Sequence, residues 1–418
     1  MKVSKIAENI IGSEIIKLAG EVNEKIKQGE KIYNLTIGDF NPEEFPIPVE
    51  LKQYIINEYS ANQTNYPPAD GMLELRTSVS NLLKQRGQLD YKPDEILIAG
   101  GARPIIYCIF KALVDPDDTV IFAVPSWNNN HYSYLNNAKS IIIEASPEEN
   151  FMPSAKNIKP HISNASFIAL CSPQNPTGTV FTKEGLEEIC DLILYENKKR
   201  LPSKKPVYLM YDQIYWALTF GNTKHYNPVS LRPEMKNYTI FVDGISKSLA
   251  ATGVRVGWSM GPKFIIDKMK AILTHVGAWA PKAEQVATAK YLSDLPTYDK
   301  FIELQKTKIS ARLNGFYKGF QELKAAGFKV DAITPQAAIY LTVQFNLLGQ
   351  KTIEGKVFES TADITKYLLD EAKLAIVPFS AFGASGNSSW YRLSVGTCKL
   401  SDVEGAINNI KNALSKLS

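Results

Sequence analysis

Short, continuously apolar runs alternate with amphipathic segments through the first two-thirds of the chain. The apolar runs have the length of buried strands and lie at residues 96–99, 120–124, 140–144, 167–171, 207–211 and 239–242. Strands that are apolar throughout and separated by helices are typical of a mostly parallel sheet covered on both faces. The pattern therefore predicts an α/β fold with helices on both sides of the sheet.

Apolar residues at helical spacing fill the intervals between these runs, and the order of elements changes near the end of the chain. Periodic segments predict helices at residues 13–29, with Ser13 as the N-cap, and at 73–86, 105–113 and 183–197. Beyond residue 300 the pattern predicts a helix at 302–326, a strand at 338–343, a helix at 363–371, strands at 374–377 and 391–395, and a last helix from Ser401. We expect residues 45–300 to form a large domain, and residues 1–44 and 301–418 to form a smaller α+β domain.

Composition narrows the class of protein. The 418 residues are 44% hydrophobic and 22% charged with a net charge of +4, which gives no reason to expect a nucleic-acid or membrane partner. No apolar run approaches the length of a membrane span. The cysteines lack close paired spacing, which favours reduced thiols over a disulfide frame or a metal site; they are Cys108, Cys171, Cys190 and Cys398. We expect a cytoplasmic protein without a metal centre.

Several residues suited to chemistry come shortly after the ends of the apolar runs. They are Gly101, Trp127, Asn175, Asp212 and Lys247. In open parallel sheets, ligands bind in the crevice outside the carboxyl ends of the strands. We therefore expect these five residues to line one crevice.

Lys247 is the most informative of them. It follows the run at 239–242, has a hydroxyl on either side at Ser246 and Ser248, and precedes Arg255 by eight residues. A second cation both lowers the pKa of an amine and holds a dianion. An amine of this kind beside a phosphate site suits a Schiff base with an aldehyde cofactor, and pyridoxal phosphate (PLP) carries that chemistry.

Two further segments suit the ring of such a cofactor. Asn175 lies in the string Pro-Gln-Asn-Pro-Thr-Gly, whose prolines and glycine make a rigid turn that aims the amide into the crevice. Asp212 ends a strand, and its carboxylate could keep a pyridine nitrogen protonated. Tyr215, three residues later, could reach the ring hydroxyl.

Three more candidates each have a commoner structural explanation when taken singly. The string Gly101-Ala102-Arg103 opens a helix after a strand, where a glycine lets backbone N–H groups approach a phosphate. Trp127 offers a flat face for stacking an aromatic ring. Arg392 alternates with apolar neighbours on a short strand, and its fork of donors suits a substrate carboxylate. The prediction depends on their conjunction.

The order of these residues along the chain resembles the class I and II aminotransferases of PLP fold type I, and the aspartate aminotransferase branch in particular. The resemblance runs from about residue 13 to Arg392 and is carried by Gly38, Tyr66, Gly101-Ala102-Arg103, Trp127, Asn175-Pro176-Thr177-Gly178, Asp212, Tyr215, Ser246-Lys247, Arg255 and Arg392. It implies a seven-stranded-type sheet. It also implies transfer of an amino group between an L-amino acid and a 2-oxo acid, with Lys247 forming the Schiff base and moving the proton.

The resemblance also implies roles for the other residues. Asn175 and Tyr215 would form hydrogen bonds with the ring oxygen, and Asp212 would form one with the ring nitrogen. The phosphate would be held by the region of Ala102 and Arg103, by Ser246 and by Arg255. Gly38 and Arg392 would bracket the substrate carboxylate, and Tyr66 would reach the phosphate of the partner subunit in a homodimer.

Departures from the family pattern leave some points open. Gly244 stands where many relatives carry a hydroxyl residue, so the hydroxyl group that binds the phosphate belongs to either Ser246 or Ser248. The stretch 274–281 lacks an arginine that could bind a side-chain carboxylate, so the amino donor is undetermined. A PLP-dependent lyase or decarboxylase on the same fold is the alternative, because the same cofactor supports both reactions. A ligand-sensing protein without catalysis is a second alternative, which the retained Lys247 disfavours.

Overall fold

The computed structural model describes residues 2–10, 14–127 and 129–418, so the predicted cap Ser13 lies outside the described residues. The strands are β1 Tyr33–Asn34, β2 Ile96–Ala99, β3 Thr119–Val124, β4 Lys139–Glu144, β5 Ala165–Cys171, β6 Tyr208–Asp212, β7 Thr239–Gly244, β8 Gly257–Met260, β9 Val330–Ala332, β10 Tyr340–Phe345, β11 Leu374–Ala375, β12 Val377–Pro378 and β13 Trp390–Ser394.

The helices occupy most of the intervals between the strands. They are α1 Lys5–Asn9, α2 Glu14–Lys27, α3 Val49–Ser60, α4 Leu73–Leu82, α5 Ala102–Leu113, α6 Asn129–Leu135, α7 Ala155–Ile158, α8 Lys183–Lys199, α9 Pro228–Leu231, α10 Ile245–Ser248, α11 Lys263–Val276, α12 Lys282–Leu292, α13 Leu295–Ala325, α14 Thr361–Glu371 and α15 Asp402–Leu414. A π-helical turn at Leu83–Gly87 extends α4, and 3₁₀ turns lie at Pro93–Glu95, Pro147–Glu149, Ile162–Asn164, Pro233–Asn237 and Phe379–Phe382.

The main sheet has the strand order β2-β8-β7-β6-β5-β3-β4. All neighbouring pairs are parallel except those of β8, which runs antiparallel to both β2 and β7. The predicted α/β fold with a mostly parallel seven-stranded sheet is therefore confirmed. The pattern missed β8, because its sequence Gly-Trp-Ser-Met carries too few apolar residues to mark a buried strand.

Both faces of this sheet are buried. Within a strand, successive side chains enter two different apolar clusters: Ile168 packs on one side and Phe167 on the other, as do Leu209 and Met210. Because side chains alternate across a strand, burial of both faces requires strands that are apolar throughout. This is the physical reason for the continuous runs in the sequence.

The rest of the chain forms a second layer of sheet and helix. An antiparallel sheet has the order β12-β13-β10-β9, and β1 pairs with β11 in parallel. The predicted single strand at 374–377 is wrong, since Ile376 separates β11 from β12 and the two strands belong to different sheets. A third apolar cluster joins this region to α13, α14 and α15. The domain boundaries stay a prediction.

Candidate active site

A cavity of about 410 Å³ opens at the carboxyl ends of β5, β6 and β7. Most of the predicted site residues line it: Gly38, Ala102, Arg103, Trp127, Asn175, Asp212, Tyr215, Ser246, Lys247, Arg255 and Arg392. Gly101 and Tyr66 do not line it. Residues more than 300 positions apart in sequence therefore meet at the strand ends, as expected because ligands of open parallel sheets bind outside the carboxyl ends of the strands.

Lys247 lies on α10, a single helical turn that directly follows β7. Its Nζ donates to the carbonyl oxygen of Gly38 at 2.6 Å. Burial lowers the pKa of Lys247 to about 8; the charges of Arg392, Arg103 and Arg255 add to the lowering, and the carboxylate of Asp39 opposes it. A lysine with this pKa is partly a free amine near neutral pH, which is the form that acts as a nucleophile or base.

Asp212 is the last residue of β6 and pairs in register with Cys171 of β5. Its Oδ1 accepts a hydrogen bond from Ile214 N at 3.1 Å. In the described part of the chain no basic side chain forms an ion pair with it. Burial raises the pKa of this carboxyl group to about 6. A carboxylate placed in this way is stabilised by any cation that enters the cavity.

Gly101 and Arg255 form a close contact at the start of α5. Gly101 has a φ of 92°, and a Cβ there would lie 2.2 Å from Arg255 Nη2. Arg255 donates from Nη1 to Thr252 O at 2.7 Å and from Nη2 to Gly100 O at 2.8 Å. The absence of a side chain at Gly101 therefore lets the guanidinium group lie beside the free N–H groups of the helix, where an anion is favoured.

The two candidate hydroxyl groups on α10 have different surroundings. Ser246 lines the cavity, whereas Ser248 does not and instead donates to Gly244 O at 3.5 Å. Both are buried. The geometry therefore favours Ser246 as the hydroxyl group available to a ligand.

Asn175 and Arg392 are joined across the cavity. Asn175 lies in a turn held by hydrogen bonds from Gly178 N to Gln174 O and from Gln174 N to Thr179 O. Arg392, on β13, donates from Nη1 to Asn175 Oδ1 at 3.0 Å. Burial lowers the pKa of Arg392, so this cation is stabilised by an anion that shares its site.

Trp127 and Tyr66, the two aromatic side chains among the predicted site residues besides Tyr215, differ in their surroundings. Trp127 lines the cavity, and the guanidinium carbon of Arg103 lies 5.4 Å from its ring centroid. Tyr66 is 83% exposed and contacts Trp279 edge to face, with ring centroids 5.5 Å apart. The side chain of Tyr66 therefore faces outward from this chain.

Further cavity residues were missed by the sequence reasoning. They include Thr36, Asp39, Thr252 and Tyr340. Thr252 Oγ1 donates to Asp39 Oδ1 at 2.6 Å, and the phenol oxygens of Tyr340 and Tyr215 are 2.6 Å apart. These residues follow no apolar run of the main sheet, and their spacing carries no motif, so only the packing of distant segments brings them to the site.

The donor set fits pyridoxal phosphate. The glycine and arginine at the start of α5 provide room and positive charge for a phosphate, and the buried Asp212 carboxylate provides the partner that a pyridinium nitrogen needs. Lys247 supplies an amine whose pKa is lowered to about 8 in the same cavity. The three groups that the cofactor needs therefore lie around one cavity.

Comparison with known proteins agrees with a site for pyridoxal phosphate. The family described as "Aminotransferase class I and II" matches residues 30–410. An aspartate aminotransferase of Bacillus sp. (strain YM-2) is 30% identical over 404 residues, which cover 95% of either chain. A probable aspartate/prephenate aminotransferase of Rickettsia felis is 28% identical and covers 100% of this chain and 97% of its own. The crystal structure of the aspartate aminotransferase from Rhizobium meliloti superposes with a TM-score of 0.91 at 25% identity over 100% of both chains.

The chain belongs to the class I and II aminotransferases. It is a PLP-dependent transaminase that acts on amino-acid and 2-oxo-acid substrates, so the predicted class of enzyme and cofactor are confirmed and the lyase alternative is set aside. Within the described ranges, none of the helices has both the length and the apolar character needed to cross a bilayer. The same ranges contain no group of three or more His, Cys, Asp or Glu side chains that could hold a metal ion.

Proposed function

We propose that the cavity residues divide the transamination reaction between a cofactor end and a substrate end. At the cofactor end, Asp212 forms a hydrogen bond with the ring nitrogen, and Tyr215 and Asn175 form hydrogen bonds with the ring oxygen. The phosphate is bound by the backbone N–H groups of Ala102 and Arg103, by Ser246 and by Arg255, with Gly101 providing room. Trp127 stacks on the ring. The observation that carries this assignment is the meeting of Lys247, Asp212 and Arg255 at the carboxyl ends of the parallel strands.

At the substrate end, Arg392 and Asn175 bind the α-carboxylate beside Gly38. A Cβ at Gly38 would lie 2.8 Å from Tyr340 Oη and 3.5 Å from Arg392 Nη1, so a larger residue would fill the place proposed for the carboxylate. When bound, pyridoxal phosphate accepts the amino group and withdraws electrons from the substrate α-carbon. Lys247, as a free amine, would remove the proton of that carbon and return it later in the reaction. A positioned acid-base group of this kind contributes about 10²–10⁴-fold to the rate.

The test of this assignment is the visible absorption spectrum of the protein with pyridoxal phosphate, recorded as amino acids are added one at a time. We expect a band that is lost on addition of the physiological donor, with one equivalent of 2-oxo acid released. Lys247→Ala should bind the cofactor without completing this exchange. Release of ammonia or carbon dioxide in place of 2-oxo acid would contradict the assignment.

An acidic amino acid is the donor that the cavity favours. The relatives are named aspartate or aspartate/prephenate aminotransferases. Arg103 lines the cavity, with its guanidinium group over the ring of Trp127. The segment at 274–281 offers no arginine, so Arg103 is the cation available to a second carboxylate.

This assignment predicts a selective loss of activity. Arg103→Met should lower kcat/KM for aspartate by about 10–100-fold, the worth of one charge-assisted hydrogen bond, and leave the value for alanine nearly unchanged. Lys111→Met, on the outer face of the same helix, is the control. Equal losses with both amino acids would assign Arg103 to the phosphate alone.

The exposed position of Tyr66 supports a homodimer in which this residue completes the partner's phosphate site. Mixed dimers of a Tyr66→Phe chain and a Lys247→Ala chain provide the test. If Tyr66 serves the partner, the intact Lys247 receives an intact Tyr66 from the other chain, and one site regains normal affinity for the cofactor. If Tyr66 serves its own chain, no site in the mixed dimer is complete.

A cytoplasmic location is supported by the cysteines. All four are free, and three of them are buried. Free thiols are typical of proteins in a reducing compartment. Fractionation of the source cells with an antibody to this chain tests the location, and recovery in an oxidising compartment would contradict it.

A further inference from the structure

Tyr340 is a buried cavity residue without a role in the proposal above. It begins β10 and is 2% exposed. Its phenol oxygen lies 2.6 Å from that of Tyr215, and the two rings meet edge to face with centroids 5.5 Å apart. Among the residues that the structure describes, the Tyr340 hydroxyl has no other hydrogen-bond partner. Its hydrogen-bonding capacity is therefore directed at Tyr215.

The backbone holds the two tyrosines in this position. Leu218, three residues after Tyr215, accepts a hydrogen bond from Ala338 N at 2.8 Å. The carbonyl oxygen of Tyr340 packs so closely on Gly178 that a Cβ there would lie 2.5 Å from it. These contacts fix the backbone segments that carry the two tyrosines, and within that frame the two buried phenols lie in hydrogen-bond contact.

Burial keeps both phenols neutral. Burial raises the pKa of Tyr215 and of Tyr340, and the positive charge of Arg392 opposes that rise in both. The Arg392 guanidinium carbon lies 4.8 Å from the Tyr340 ring centroid. The other titratable groups that face the pair are Lys247, Asp39 and Cys171. Each phenol therefore has one hydrogen to donate at neutral pH.

We propose that Tyr340 is a positioning residue that donates its hydroxyl hydrogen to the Tyr215 oxygen, so that the Tyr215 hydrogen is free for the ring oxygen of the cofactor. This inference rests on the role proposed for Tyr215. If Tyr215 donated to Tyr340 instead, its only hydrogen would be used within the protein. Hydrogen bonds in a chain polarise one another, so Tyr340 also makes Tyr215 a stronger donor.

The experiment follows the visible absorption of the protein with pyridoxal phosphate bound as the pH is changed. Donors to the ring oxygen stabilise its negative charge and favour the form with fewer protons. Tyr340→Phe should therefore raise the midpoint of the absorption change by about 0.5–1 pH unit, the size expected for one hydrogen bond. Tyr215→Phe should raise it further, and Tyr340→Phe should add nothing in that background.

Tyr391→Phe is the matched control. Tyr391 is a buried tyrosine of β13 that donates to Thr361 O at 3.4 Å and does not line the cavity. Its substitution removes a buried hydroxyl group and should leave the midpoint unchanged. Incorporation of 3-fluorotyrosine at position 340 keeps the hydroxyl and strengthens it as a donor, so it should lower the midpoint even if the phenylalanine variant does not fold.

The outcomes separate the two proposals. If Tyr215→Phe raises the midpoint and neither change at Tyr340 moves it, the role of Tyr340 is wrong and that of Tyr215 stands. If Tyr215→Phe itself leaves the midpoint unchanged, both roles are wrong. A raised KM with an unchanged midpoint in Tyr340→Phe would assign Tyr340 to the substrate carboxylate and overturn the inference.

Discussion

Arg392 and Asn175 are joined by a 3.0 Å hydrogen bond from Nη1 to Oδ1, which connects strand β13 to the turn after β5. The other guanidinium nitrogen, Nη2, donates to Thr36 O at 2.5 Å. The N–H on Nε is buried and has no partner within the described residues. The orientation of the guanidinium group is therefore fixed before any substrate is bound, while part of its hydrogen-bonding capacity is unused.

This arrangement predicts that Arg392→Lys is a severe change. A lysine keeps the charge but cannot bond Asn175, Thr36 and a carboxylate in one plane. We expect kcat/KM for amino acids to fall by about 10–100-fold through KM, while the affinity for the cofactor stays the same. Steady-state kinetics with an amino acid and with an amine lacking the α-carboxylate test this, because activity toward the amine should not change. An equal loss with both would contradict carboxylate binding.

Gly101→Ala tests the phosphate site. The new Cβ would lie 2.2 Å from Arg255 Nη2 on a residue with a φ of 92°, so the arginine must move and the backbone is strained. We expect the dissociation constant of pyridoxal phosphate to rise at least tenfold and the protein to lose about 1–3 kcal/mol of stability. Gly253→Ala, which has open space around the new Cβ, is the control and should change neither. Unchanged cofactor binding in Gly101→Ala would show that Arg255 serves another purpose.

The residues that sequence could predict are those tied to the strand ends. Asn175, Asp212 and Lys247 lie shortly after the ends of apolar runs, and parallel strands bring such positions together whatever the details of packing. Tyr340 and Thr252 could not be predicted in this way, since the packing of distant segments determines where they lie. The choice between two serines of one helical turn also needed the structure, because residues two apart face different directions.

Asp243 is a buried carboxyl group at the end of β7 with no role in the proposed mechanism. It is 1% exposed, accepts hydrogen bonds from Gly244 N at 2.7 Å and Gln213 Nε2 at 3.3 Å, and burial raises its pKa from 3.8 to about 8. Between these two pH values the native form holds a proton that the unfolded chain has released. The contribution of Asp243 to the free energy of unfolding is therefore fully present at low pH and is lost as the pH rises through this window.

Asp243→Asn should remove this pH dependence. The amide oxygen keeps the hydrogen bond from Gly244, and rotation of the Gln213 amide group lets the new Nδ2 donate to Gln213 Oε1, which is buried without a partner within the described residues. We expect the variant and the wild type to differ little near pH 5 and the variant to be more stable by about 1–3 kcal/mol above pH 8. Urea unfolding across this range is the measurement, with the surface substitution Asp90→Asn as the control. A difference that does not vary with pH would contradict the assignment.

Lys247 should impose the opposite pH dependence on the cofactor-free protein. Its pKa is lowered from 10.5 to about 8 by burial, so between these values the unfolded chain holds a proton that the native protein has released. Stability therefore rises with pH through this window, and the wild type should gain about 2 kcal/mol relative to Lys247→Met between about pH 7 and pH 10. Surface Lys268→Met should show no such gain. Parallel stability curves for the wild type and Lys247→Met would mean that the amine keeps its proton in the cavity and needs the bound cofactor to become a base.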